Sequence, residues 1–74
     1  MTKKADDTAL AKEFGSKVRA LRELRGFQQN ELAAKVGCDP GRICNIENGR
    51  HFPLWPMVKK LAAALGVSTD ELPG

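Results

Sequence analysis

The chain has 74 residues, enough for one small domain near the lower limit at which a single core folds without metal, disulfide or partner. Its 42% hydrophobic content is ordinary for a soluble protein, and with three Phe, one Trp and no Tyr the core must be filled by aliphatic side chains. The net charge of +3 arises from 12 basic and 9 acidic residues, a balance too even to identify a polyanionic partner on its own.

No apolar run approaches the ~18 residues a membrane span needs, and the polar Met1 to Thr8 segment is no secretory signal, so a cytoplasmic protein is expected. Residues 1–8 read as a flexible N-terminal arm and residues 9–74 as the domain. Thr8 is placed to cap a first helix running to about Arg25, with Phe14, Val18 and Leu21 on its buried stripe and Gly26 as its stop. A second helix begins near Gln28 or Gln29, buries Leu32, Ala33 and Val36, and ends at Gly37. Gln28 is a poor N-cap.

Asp39 followed by Pro40 is a strong start signal. A carboxylate accepts orphan backbone N–H groups, and proline fits a first turn in which no donor is missed. The third helix therefore runs from Pro40 to Asn48 and stops at Gly49. A fourth helix spans roughly Trp55 to Leu65 and closes at Gly66, with Pro56 tolerated in its first turn. Ser68 and Glu71 have the spacing of a capping box for a short fifth helix that ends before Pro73. The predicted fold is all-α: a compact five-helix domain with no strand and no internal repeat.

Gln29 to Ile46 has the layout of two short helices crossing at a tight turn. Small Ala33 permits close approach, and Gly37 supplies positive φ without a Cβ penalty. At 100° per residue Ile43 and Ile46 set the inner face of the third helix, with Glu47 beside it, whereas Gly41, Cys44, Asn45 and Asn48 fall opposite and Pro40 and Arg42 on the flanks. An amide can pair bidentately with adenine, a guanidinium reaches guanine or phosphate, and a thiol packs against a thymine methyl. Asn45, Arg42 and Cys44 are the candidates for those roles; the alternative is an ordinary solvated helix face.

Three stretches carry a family resemblance. They are Gln29-Asn30-Glu31-Leu32-Ala33-Ala34-Lys35-Val36-Gly37, then Ile43 through Ile46-Glu47-Asn48-Gly49-Arg50, and Leu61 to Gly66 followed by Val67-Ser68-Thr69-Asp70-Glu71-Leu72. Together they resemble the phage repressor and Cro group, also called the xenobiotic-response-element type of regulator, across about Phe14 to Leu72. The resemblance implies a lambda-repressor-like DNA-binding domain with a helix-turn-helix. It further implies that Gln29 binds a DNA phosphate, that Arg22 and Glu47 form a structural ion pair, and that Asn48 and Arg50 belong to a loop bringing backbone N–H groups and a basic side chain to the sugar-phosphate chain. Pro40 and Gly41 depart from the pattern, since the family carries polar side chains there; base recognition then shifts to Arg42, Cys44 and Asn45, or is shared with DNA shape and a Lys3-Lys4 arm in the minor groove. Trp55 stands where the family has an aliphatic core residue and is assigned mainly to packing. The group dimerises through its last helices, which makes Leu54, Trp55, Val67 and Leu72 the candidate homodimer contacts.

The expected function is sequence-specific transcriptional regulation, as a repressor or operon controller on a palindromic operator in double-stranded DNA. The short chain favours a restriction-modification controller or compact repressor over a cleavable one. The alternative is an antitoxin or bridging-type interaction module on the same fold. An enzyme is excluded on inventory, because a single His, no nucleophile–base–acid arrangement and no phosphate-cradling glycine motif are present. No cofactor is implied. Cys38 and Cys44 with His51 fall short of a four-ligand zinc site, so no metal is expected and the thiols are read as small side chains in a reducing compartment.

Overall fold

The computed structural model describes residues 3–72, with side chains from residue 9 onward. Four α-helices follow in chain order: α1 (Lys3–Leu24), α2 (Gln29–Val36), α3 (Pro40–Glu47) and α4 (Trp55–Leu65). A single 3₁₀ turn, Thr69–Glu71, comes after them, and no strand occurs among the described residues. The fold is all-α, but the fifth helix is only this turn. Ser68 makes no side-chain cap hydrogen bond, so the expected capping box is absent. Between Gly66 and Pro73 there is too little chain to repay the entropy of nucleating an α-helix.

α1 starts at Lys3, ahead of the cap expected at Thr8, so residues 3–8 of the supposed arm are helical and only Met1 and Thr2 of it lie outside the described residues. Ala5, Ala9, Leu10 and Ala11 favour helix. α2 compensates for its weak cap from the other direction: the Gln28 backbone N–H donates to Glu31 Oε1 at 2.7 Å. At α3 the cap differs from expectation. Asp39 has the extended backbone of an N-cap and Pro40 follows in the first turn, yet the Asp39 carboxylate makes no cap hydrogen bond.

The core takes Phe14 and Val18 from α1, Leu32, Ala33 and Val36 from α2, Ile43 and Ile46 from α3, and Val58, Leu61, Ala62 and Leu65 from α4. Full burial of each large side chain contributes about 1.5–3 kcal/mol. α2 and α3 turn at Gly37, whose φ of 81° lies in the left-handed region. The N–H groups of Gly37 and Cys38 both donate to the Ala33 carbonyl, at 2.8 and 3.0 Å, which closes the end of α2 and fixes the exit towards α3.

A second close approach sets the angle of α3 against α1. Gly15 is buried in the middle of α1, and a Cβ there would overlap the carbonyl oxygens of Ile46 and Glu47. Its missing side chain lets the α1 backbone rest on the last turn of α3. Arg25 then ties α1 to the far helix, since its Nε–H donates to the Leu65 carbonyl at 2.7 Å and satisfies an orphan acceptor at the end of α4.

Candidate nucleic-acid interface

Three helices meet at one carboxylate. Glu47, in the last turn of α3, accepts from Arg22 Nε at 2.6 Å, from Arg22 Nη2 at 3.2 Å and from Gln29 Nε2 at 3.0 Å. Arg22 also donates from Nη1 to the Phe27 carbonyl at 2.7 Å, which fixes the α1–α2 connection. Arg22 and Glu47 are each only 8% exposed. An unpaired carboxylate at the negative end of a helix would be unfavourable, and the guanidinium offsets it. The hydrogen bond that Arg22 donates to Glu47 raises the Arg22 pKa above the ordinary guanidinium range, against the lowering effect of burial. A raised value means that the stabilisation is present below the ordinary pKa and disappears only above the raised one, so this pair produces no alkaline transition in the working pH range.

This junction places the outward surface of α3. Gly41, Arg42, Asn48 and Arg50 are exposed, whereas Cys44 and Asn45 are half-buried. The Asn48 amide donates to Cys44 Sγ at 3.4 Å, joining two of the candidate reading residues into one short ridge. Gln29 is half-buried and gives one amide hydrogen to Glu47, which leaves its other amide hydrogen and its carbonyl oxygen uncommitted in the structure. It lies in an open, polar depression of about 520 Å³ between α1, α2 and α3, with Arg19, Asn30 and Asn48 on the rim.

The loop after α3 departs from what the resemblance implied. The backbone N–H groups of Asn48, Gly49 and Arg50 donate back to the carbonyls of Cys44, Ile46 and Asn45, each at 3.0 Å. They close the helix and are spent, while the side chains of Asn48 and Arg50 remain exposed.

Both cysteine thiols are free. Burial pushes the Cys38 thiol up, and Arg42 pulls it part of the way back. At neutral pH it is protonated and a poor nucleophile.

The four candidate dimer residues separate. Leu54 and Trp55 are 76% and 57% exposed, so Trp55 is a surface side chain and not the core residue its family position suggested. Leu54 is the N-cap of α4, with extended backbone, and Trp55 is its first residue, ahead of Val58, the first buried residue of the helix. Val67 is half-buried against the core. Leu72, only 6% exposed, is a core residue of its own chain and is unavailable to a second copy, because the 3₁₀ turn folds it back over α4.

Gln29 to Glu47, Arg25 to Leu65 and the Gly15 contact were all missed in the sequence. A lone glycine inside the Phe14–Leu21 helical pattern was the one available signal, because it weakens a helix unless packing needs the space.

A helix-turn-helix domain family profile matches residues 13–73. The chain is 43% identical over 60 residues to the HTH-type transcriptional repressor RghR of Bacillus subtilis, an alignment covering 80% of this chain and 44% of that protein. The restriction-modification controller protein C.AhdI of Aeromonas hydrophila superposes with a TM-score of 0.81 at 32% identity, covering 85% of this chain and 96% of that one. The biofilm master regulator SinR, solved in complex with DNA, superposes with a TM-score of 0.74 at 27% identity, covering 78% of this chain and 94% of that one. No described helix is long and apolar enough to cross a membrane. With a paired-helix core, an ion-paired brace behind α3 and these likenesses over most of its length, the chain belongs to the helix-turn-helix family of DNA-binding transcriptional regulators.

Proposed function

We propose that the chain is a sequence-specific repressor or operon controller that binds a palindromic operator in double-stranded DNA as a homodimer, in the cytoplasm. The observation carrying this reading is the α3 ridge, where Arg42 and Asn48 are exposed beside half-buried Asn45 and the helix is braced from behind by Arg22 and Glu47. Asn45 reads adenine, Arg42 contacts guanine or phosphate, and Cys44 packs against a thymine methyl. Gln29, Asn48 and Arg50 hold the sugar-phosphate chain on either side. SinR, in its complex with DNA, supports the ligand, and RghR and C.AhdI support repression and operon control.

Asn45 and Arg50 test the two kinds of contact in one series. Asn45→Ala is expected to lower affinity for the preferred duplex by about 1–3 kcal/mol while leaving random duplex nearly unchanged. Arg50→Ala is expected to weaken all duplexes alike and to flatten the dependence of log K on log salt by about one phosphate contact. Fluorescence anisotropy over a salt series reads both. An equal loss on random DNA for Asn45→Ala removes its base-reading role, and an unchanged salt slope removes Arg50.

The homodimer is assigned to Leu54 and Trp55, the exposed apolar pair at the start of α4. A two-fold dimer would set the two reading helices about 34 Å apart, one duplex turn. Trp55→Glu is accordingly expected to yield monomer in sedimentation equilibrium and a marked loss of affinity for a two-half-site duplex, with little change in melting temperature. A variant that stays dimeric excludes this face. A wild-type chain that is monomeric on its own, yet retains a protein partner through Trp55, favours the antitoxin or bridging role.

A further inference from the structure

We propose that Asp39 is a specificity-determining residue that accepts a hydrogen bond from the amino group of a cytosine in the major groove. The inference rests on the DNA-reading function proposed above and assigns one more base contact to it. Asp39 is exposed, and its carboxylate takes part in no hydrogen bond and no ion pair among the described residues. It does not lie idle in position. The two carboxylate oxygens stand 3.6 and 3.9 Å from the point that a Cβ on Gly41 would occupy, and no other non-local atom comes within 4 Å of that point. Gly41 is on the outward face of α3, so the Asp39 carboxylate lies at van der Waals distance from where a residue-41 side chain would begin, beside that face.

Its neighbours leave it without competition. Pro40 has no N–H and no polar side chain, and Gly41 has no side chain at all, so Asp39 is the polar group at the leading end of the reading helix. A carboxylate offers acceptors and no donor. Guanine presents only acceptors in the major groove, and thymine an acceptor and a methyl group. Adenine has an amino donor, but its N7 acceptor lies beside it and repels a carboxylate while suiting an amide. Cytosine N4–H₂ is a donor without an adjacent acceptor on its own base, and it is the base edge that a carboxylate matches. Phosphate contact is excluded by like charge. The positive end of the α3 dipole, and Arg42 one residue beyond Gly41, make the approach of an acidic group to the duplex tolerable.

Selection from a randomised duplex pool with wild type, Asp39→Asn and Asp39→Ala tests the assignment, followed by anisotropy on single-position variants of the selected site. The wild type is expected to enrich one C·G pair per half-site and to bind about tenfold more weakly when that cytosine is replaced by thymine. Asp39→Ala is expected to lose that discrimination, binding the two duplexes within about twofold, and Asp39→Asn to prefer adenine there, because an amide matches adenine N6 and N7. All three should melt at the same temperature by circular dichroism. Variants that select the wild-type motif unchanged overturn the role of Asp39 and leave the regulator intact. A lowered melting temperature with an equal loss on every duplex makes Asp39 a helix cap and also overturns it. If the wild type enriches no motif, the DNA-reading function itself fails, and this inference with it.

Discussion

Glu47→Ala is expected to destabilise the domain by about 3–5 kcal/mol, the scale seen when one partner of a buried ion pair is removed. A chain of this size has a total stability of roughly 4–11 kcal/mol at 0.05–0.15 kcal/mol per residue, so the variant approaches the limit of folding. The loss has three parts. The Arg22 guanidinium stays buried without its bidentate carboxylate, the Gln29 amide loses its acceptor, and the end of α3 is no longer tied to α1 and α2. Urea unfolding followed by circular dichroism measures it. The companion variant separates charge from contact: Arg22→Met with Glu47→Leu removes both charges, fills a similar volume, and is expected to recover more than half of the lost stability. A single Glu47→Ala variant within about 1 kcal/mol of wild type would show that water reaches the pair and that the brace behind α3 is not structural.

The second large effect is expected at Gly15. In an exposed helix interior, alanine is better than glycine by about 1 kcal/mol, so propensity alone predicts that Gly15→Ala stabilises. The opposite is expected here. A Cβ at this position would stand 2.7 Å from the Glu47 carbonyl oxygen and closer still to that of Ile46, and both obstacles are backbone, which no rotamer change can move aside. Overpacking costs on the order of 1–3 kcal/mol, and the strain falls on the angle between α1 and α3. Gly15→Ala should lower the melting temperature by roughly 4–8 °C per kcal/mol lost in a domain of this size, and Gly15→Val by more. Because α3 carries the ridge proposed to read DNA, operator affinity should fall together with stability. A Gly15→Ala variant that melts at or above the wild-type temperature would mean that the two helices separate freely at this point.

Much of the fold is legible in the linear chain because its signals are local. Gly37 and Gly66 end helices through left-handed backbone, Pro40 opens α3, and the spacing of Leu32, Ala33, Val36, Ile43 and Ile46 gives one buried seam. A repeat of 3.6 residues, a missing N–H and a missing Cβ act within a turn or two, so residue order suffices to place α2, α3 and α4. The same locality explains the failures at both ends. Helix continuation from Lys3 had no breaker to oppose it, and the segment after Gly66 had a capping pattern but too few residues to nucleate more than a 3₁₀ turn.

What a side chain does once folded depends on groups far away in sequence, and there periodicity is silent: the Arg22–Glu47 pair was expected from the family resemblance alone, and the Gln29 contact to the same carboxylate was not expected at all. Periodicity put Glu47 next to the inner face, but its three hydrogen bonds come from Arg22, 25 residues earlier, and Gln29, 18 residues earlier. A capping signal predicted that the Asp39 carboxylate would serve the backbone of α3, whereas in the folded chain it lies over bare Gly41 without a partner. Leu72 and Trp55 look alike as apolar residues near the end proposed to form the dimer, but one is folded into the core and the other faces solvent. Residue order thus established the helices and the turn that pairs them, because those rest on short-range backbone sterics. Packing assigned the brace, the tight crossing at Gly15 and the division between buried and presented side chains, because each is set by contacts that exist only after distant segments have met.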